Sequence, residues 1–171
     1  MEGTFFITLD YLKQLGACRE GQREFQRVFP DGGEYQAILD RCADEGRVDF
    51  GSWLLNHIGA TNDVRIYEEK IDAPNRGIIF AGDIKLKSGA NVKFLFSGHS
   101  IEAGDGIKAG DGIKAGWGIK AGWGIEAGED SCVFAGLNIK KSEWPIFAVV
   151  TAKEKPTNLI SGYWKQRENT L

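Results

Sequence analysis

The residues to weigh first for chemistry are two histidines, three cysteines and a pair of glycine-flanked aspartates. Histidine is the commonest general base and metal ligand. His57 falls near the end of a predicted helix, where the helix dipole favours it. His99 falls far away, in a glycine-rich stretch. Neither belongs to a Ser-His-Asp or Cys-His set with telling spacing. Cys18, Cys42 and Cys132 are odd in number and form no CxxC pair. A disulfide framework and a zinc site therefore lack support, and free, mostly buried thiols are expected. Gly104-Asp105-Gly106 carries the Gly-x-Gly of a phosphate cradle, but no Walker sequence follows. No predicted strand feeds it and no helix opens after it. Asp105 and Asp111 resemble the ligands of calcium-binding β-rolls, which use a nine-residue unit; the unit here has six residues. The sequence thus assigns no catalytic residue, metal or cofactor, and the expectation is a protein that is not an enzyme.

Recognition residues are easier to find. Trp117 and Trp123 occupy equivalent positions of consecutive repeat units, after Asp105 and Asp111 in the preceding two. Tryptophan is enriched at binding hot spots. Lys108, Lys114 and Lys120 lie beside them and could form a basic edge for an acidic partner. These five residues are the candidate partner-binding set. The competing reading buries the tryptophans under the helical module or a C-terminal strand, and makes the lysines a solvated face that discourages edge pairing.

The elements that position them derive from the repeat. Between Gly98 and Ala127 a six-residue unit recurs five times, with Ile101, Ile107, Ile113, Ile119 and Ile125 each followed two positions later by alanine. A helix cannot tolerate so much interior glycine, at up to about 1 kcal/mol each. A short Ile-x-Ala strand can use the unit, with Ile and Ala on one face and Lys or Glu on the other. Glycines flanking one residue supply corners with permissive φ/ψ. Strand, corner, strand describes a β-solenoid. The coil length can be argued from charge. Three units per coil stack Glu102 on Lys120 and Lys108 on Glu126, whereas two units place Lys108 on Lys120. Each exposed cross-strand pair is worth about 0.2–1 kcal/mol, so three units are mildly preferred.

Upstream, residues 1–62 read as helical. Thr8 can cap a helix bearing Leu9, Leu12 and Leu15 that Gly16 ends. Phe25, Val28 and Phe29 form a second apolar stripe, stopped by Pro30. Glu34–Ala43 and Phe50–Ile58 supply two more helices. About 60 residues are near the lower limit for independent stability, so this module leans on the C-terminal region. Residues 63–171 read as β, with strands at Val64–Tyr67, Gly77–Phe80, Asp83–Leu86 and Asn91–Phe96, and a strong candidate at Ile146–Ala152. The predicted fold class is α+β: an N-terminal helical module packed on a short β-solenoid of six-residue repeats, with C-terminal capping strands.

Composition narrows the function classes. With 21 Lys+Arg against 24 Asp+Glu the formal charge is −3, which argues against a generally basic nucleic-acid binder. No run approaches the roughly 18 apolar residues of a membrane span, and no signal-peptide core is present at the N-terminus. Glycine, at 23 of 171 residues, is the outlier, against a typical ~7%.

Two local patterns resemble known proteins. FITLDYLKQLGACREGQREFQRVFPDGG is similar to a short helical module of small phage and prophage proteins, through Gly16-Ala17-Cys18 and Phe29-Pro30-Asp31-Gly32. GIKAGDGIKAGWGIKAGWGIEAG resembles Ile-x-Ala arrays of mobile-element proteins, and Ser131-Cys132-Val133-Phe134-Ala135 fits the strand that often comes after them. The related arrays include five-residue units. The resemblance implies a non-enzymatic inhibitor of a host-defence complex, anti-CRISPR-like. It would dock a rigid solenoid surface on a host protein or ribonucleoprotein, as a cytoplasmic monomer or homodimer. The alternative is a structural module that self-associates through the solenoid.

Overall fold

The computed structural model describes residues 5–137 and 139–167. Four helices open the chain: α1 (Leu9–Gln14), α2 (Arg19–Val28), α3 (Tyr35–Asp44) and α4 (Val48–Ile58). A small antiparallel pair, β1 (Phe6–Ile7) and β2 (Gly33–Glu34), ties the first helix to the third. Thr8 caps α1 by accepting from the Tyr11 amide at 3.2 Å. The second cap is one the sequence reading missed: Cys18 Sγ accepts from the Gly21 amide at the start of α2. The four expected helices are present within a few residues of their predicted limits.

The rest of the chain winds into a parallel β-solenoid of about six coils. Each coil has three sides. The first face is a six-stranded parallel sheet, in spatial order β3 (Val64–Tyr67), β5 (Asp83–Leu86), β7 (Ile101–Ala103), β10 (Ile119–Ala121), β13 (Val149–Ala152) and β15 (Tyr163–Gln166). Two long strands, β4 (Ile71–Phe80) and β6 (Ala90–Ser97), bend through the other two faces. The first half of β6 pairs with β8 (Ile107–Ala109) and its second half with β9 (Ile113–Ala115). The second face continues to β11 (Ile125–Ala127), and the third to β12 (Val133–Phe134) and β14 (Leu159–Ser161).

The register is that of three units per coil. Ile119 pairs with Ile101 and Ile125 with Ile107. Lys120 meets Glu102 and Lys108 meets Glu126, each at 3.0 Å. Ile101, Ile107, Ile113 and Ile119 are at most 2% exposed and fill a dry interior with the alanines.

Two expectations need correcting. The strand read at Ile146–Ala152 begins only at Val149, because Trp144–Phe147 forms a short helix, α5. Pro145 sits in its first turn, where a missing amide costs nothing. The corner glycines are also required for a different reason than backbone freedom alone. Within the repeat a positive φ occurs at Gly112. At Gly104 and Gly122, by contrast, an added Cβ would collide with the backbone carbonyl of the coil above, Lys87 and Gly104 respectively. Coils about 4.8 Å apart leave no room for a side chain pointing along the axis.

The helical module packs on the upper part of the third face. Ile78, Phe80 and Leu95 point into the solenoid, whereas Ile79, Phe94 and Phe96 alternate outward and join the helical core. Gly51 of α4 rides directly on Ile79. Gln36 of α3 closes the open edge of β4: its amide donates to Ile79 O at 2.9 Å and accepts from the Ala81 amide at 3.0 Å. The two cores therefore lie back to back on the same strands, and the small helical module completes its interior with residues of the solenoid.

Candidate interaction surface

The six-residue period places successive units on successive faces, and this decides what the candidate residues can do together. Lys108 lies on the second face, Lys114 on the third and Lys120 on the first. They do not form the basic edge that the sequence suggested, because a strand and a corner turn the chain by a third of a coil. Lys108 and Lys120 are exposed and paired with glutamates. Lys114 is half-buried, its Nζ 4.6 Å from the Phe96 ring centroid and 6.0 Å from that of Phe134. Burial lowers the pKa of its ammonium.

The tryptophans do share a face. Trp117 precedes β10 and Trp123 follows it, so they stand at the two corners bordering the first face. Trp123 is 60% exposed, with Lys153 Nζ 3.2 Å from its ring centroid. The Lys153 amide also donates to Trp123 O at 2.9 Å, which sets the two main chains side by side and brings the ammonium within reach of the ring. Trp117 is half-buried in an aromatic column. The His99 ring lies 4.3 Å away on one side and Phe147 5.3 Å on the other. His99 is held in turn by Asp83, whose Oδ1 is 2.7 Å from His99 Nδ1 and also accepts from the Ser100 amide at 3.0 Å. The imidazole at position 99 thus has a carboxylate partner and an indole neighbour. Asp105 and Asp111, the calcium candidates, stand at two different corners, and Asp111 faces Lys93 at 3.9 Å. His57 stacks on Trp53, 4.1 Å between centroids.

Between the tryptophan corners the outward side chains of the first face are exposed, Thr151 alone among its central column being half-buried. Its outward column reads Ile66, Lys85, Glu102, Lys120, Thr151, Lys165 from coil to coil. Three lysines and one glutamate make it cationic. Lys85, Lys120 and Lys165 are two strands apart in turn, so they repeat about every 10 Å. The sequence reading missed Lys85 and Lys165 because they lie outside the repeat; only the pairing of β5 and β15 brings them into line.

Three cavities open among the described residues, the most voluminous, about 410 Å³, between Asp40 and Asp44 of α3 and Arg65, Tyr67 and Arg76. Another, of about 320 Å³, lies within the helical module, walled by Leu12, Phe25, Phe29, Ile38 and Leu54, with Arg47 at its rim near Glu20 and Glu24. The last, of about 150 Å³, lies where α4 meets the third face.

Comparison with known proteins bears on the helical module alone. A family model described as the YdhT N-terminal domain matches residues 1–61. That match takes in the four helices and ends before β3. No curated protein and no solved structure gives a significant match.

Proposed function

We propose that the chain is a non-enzymatic binding protein that docks the first solenoid face, edged by Trp117 and Trp123, on an acidic surface of a macromolecular partner. The observation that carries the reading is the placement of both tryptophans along the borders of one exposed, cationic sheet face. A stacked solenoid is already ordered, so docking costs little conformational entropy. Aromatic anchors at the borders and a lysine column between them match the composition of hot spots and the charge complementarity that steers encounter. The partner to test first is a host protein or ribonucleoprotein of a defence complex, such as a CRISPR effector, on the strength of the phage-like motifs.

Affinity purification of the tagged chain from its host, with reconstitution of the captured complex, tests the proposal. Trp123→Ala is expected to weaken the complex by about 30-fold, a loss of ~2 kcal/mol typical of a hot spot. Reversal of Lys85, Lys120 and Lys165 to glutamate is expected to slow association and invert its salt dependence, so that added salt speeds it. Unchanged affinity in folded variants would exclude this face.

Self-association is the second reading, and one feature favours it: among the described residues, β14 and β15 end their sheets with no further strand beside them. Light scattering across concentrations separates the two readings, since a monomer at every concentration excludes assembly through that end.

A further inference from the structure

The smallest of these cavities lies on a different side of the molecule from the docking face. α4 covers the upper half of the third face and ends at Ile58. Below its edge, Ser52 and Asn56 of α4 wall the space opposite Phe96, Lys114, Phe134 and Leu137. Ser52 and Asn56 are four residues apart and so share one side of the helix.

Two groups in this cavity lack the partner their chemistry demands. The Ser52 hydroxyl is buried and, among the described residues, has no hydrogen-bond partner. Such a group is costly to leave unmade. Lys114 is the second. Its repeat equivalents Lys108 and Lys120 each hold a glutamate at 3.0 Å. Among the described residues no carboxylate pairs with Lys114, and two aromatic rings flank its ammonium instead. A half-buried cation and an orphaned hydroxyl, lining the same space, call for one acceptor that bears negative charge.

We propose that this cavity is a carboxylate-recognition site, occupied by an acidic side chain on an apolar segment of a protein partner. A carboxylate has two oxygens that accept from Lys114 Nζ and Ser52 Oγ, and Asn56 offers a further amide donor. A volume of about 150 Å³ is well below the ~300–1,000 Å³ of small-molecule sites and suits one side chain. The rim selects the neighbours of that side chain. Leu137 is exposed and Phe134 half-buried, so aliphatic residues flanking the acid have apolar surface to cover.

The test uses the full chain, isotopically labelled, and tracks backbone amide shifts at Ser52, Lys114 and Leu137. The probes are acetate, a blocked Leu-Glu-Leu tripeptide and its Leu-Gln-Leu analogue. The glutamate peptide is expected to give saturable shifts at those three positions and the glutamine peptide none. It is expected to bind about tenfold tighter than acetate, the return on burying an aliphatic neighbour. Lys114→Met is expected to abolish the response, Lys114→Arg to retain part of it, and Ser52→Ala to weaken it severalfold. Both Lys114 variants keep a long stem between the rings, so folding is not at stake. Equal responses to the two peptides, or an unchanged response in Lys114→Met, would overturn the site. Equal affinity for acetate and the glutamate peptide would overturn the assignment to a peptide. None of these readouts depends on Lys120 or the tryptophans, so the docking face and this site stand or fall separately.

Discussion

Replacing Gln36 by alanine probes how the open upper end of the solenoid is closed. An uncovered parallel edge presents a row of backbone donors and acceptors and invites pairing with other chains. Here Ile79 and Ala81 turn their peptide groups toward that end. The Gln36 carboxamide serves both at once, donating to Ile79 O and accepting from the Ala81 amide, while the Thr61 amide donates to Ala81 O at 3.0 Å. The side chain thus stands in for one residue of an absent strand. Ile79 and Ala81 are at most 1% exposed, so water cannot simply replace it. Each buried group left unsatisfied costs about 1–3 kcal/mol. Gln36→Ala leaves two, and partial relaxation brings the expected loss to about 2–4 kcal/mol. With a urea m-value of about 2 kcal/mol/M, the midpoint falls by about 1–2 M. Gln36→Glu separates the two halves of the interaction. A carboxylate can still accept from Ala81, but it cannot donate to Ile79 O, and it would face Asp40, which now accepts from the same amide at 2.9 Å. It is expected to be at least as destabilising at neutral pH. Urea unfolding gives the global loss, and hydrogen exchange at the Ala81 amide gives the local one. A midpoint within about 0.3 M of the parent, with Ala81 exchange unchanged, would refute the idea that this amide closes the edge.

Other expected outcomes rest on the same packing. Ile119→Ala empties a fully buried position and is expected to cost about 2–5 kcal/mol by urea unfolding, against almost nothing if the repeat interior were loosely packed. Lys120→Glu places two carboxylates side by side on exposed strands. It is expected to lower Tm by no more than about 4 °C, recovered when Glu102→Lys is added; a larger fall would mean that the surface pair carries more than exposed pairs do. Burial pushes the Cys42 thiol up to about 11, while Cys18 is exposed. At about pH 8 Cys42 is therefore protonated and shielded, and its thiolate appears only as pH rises toward 11. Iodoacetamide with peptide mass mapping is expected to label Cys18 first and Cys42 only on unfolding. Comparable rates in the native protein would contradict the helical core described above.

How much of this was legible beforehand varies by element, for physical reasons. The Ile-x-Ala unit could only be a two-periodic strand, since its glycines forbid a helix and its isoleucines need a shared interior. The pairing of Lys120 with Glu102 only tilted the coil length toward three units, because exposed charge pairs are weak, and the strand register settled it. Helix limits were readable from Thr8, Gly16 and Pro30 because caps and breakers act within a few residues. Ile146 and Phe147 were misread because they run apolar into Val149–Ala152 and look like one strand until Pro145 is placed in a helical turn.

What the sequence by itself determined is thus the material of the fold: the helices, the repeat and the side each isoleucine takes, with the register only favoured. These rest on interactions between residues close in the chain or separated by one fixed period. The tertiary structure alone decided which surfaces exist. It distributed three equivalent lysines over three faces, aligned Lys85 and Lys165 with Lys120, and left Lys114 under α4 without a carboxylate among the described residues. Such neighbourhoods depend on where a coil turns and what packs across it, and no spacing along the chain encodes them.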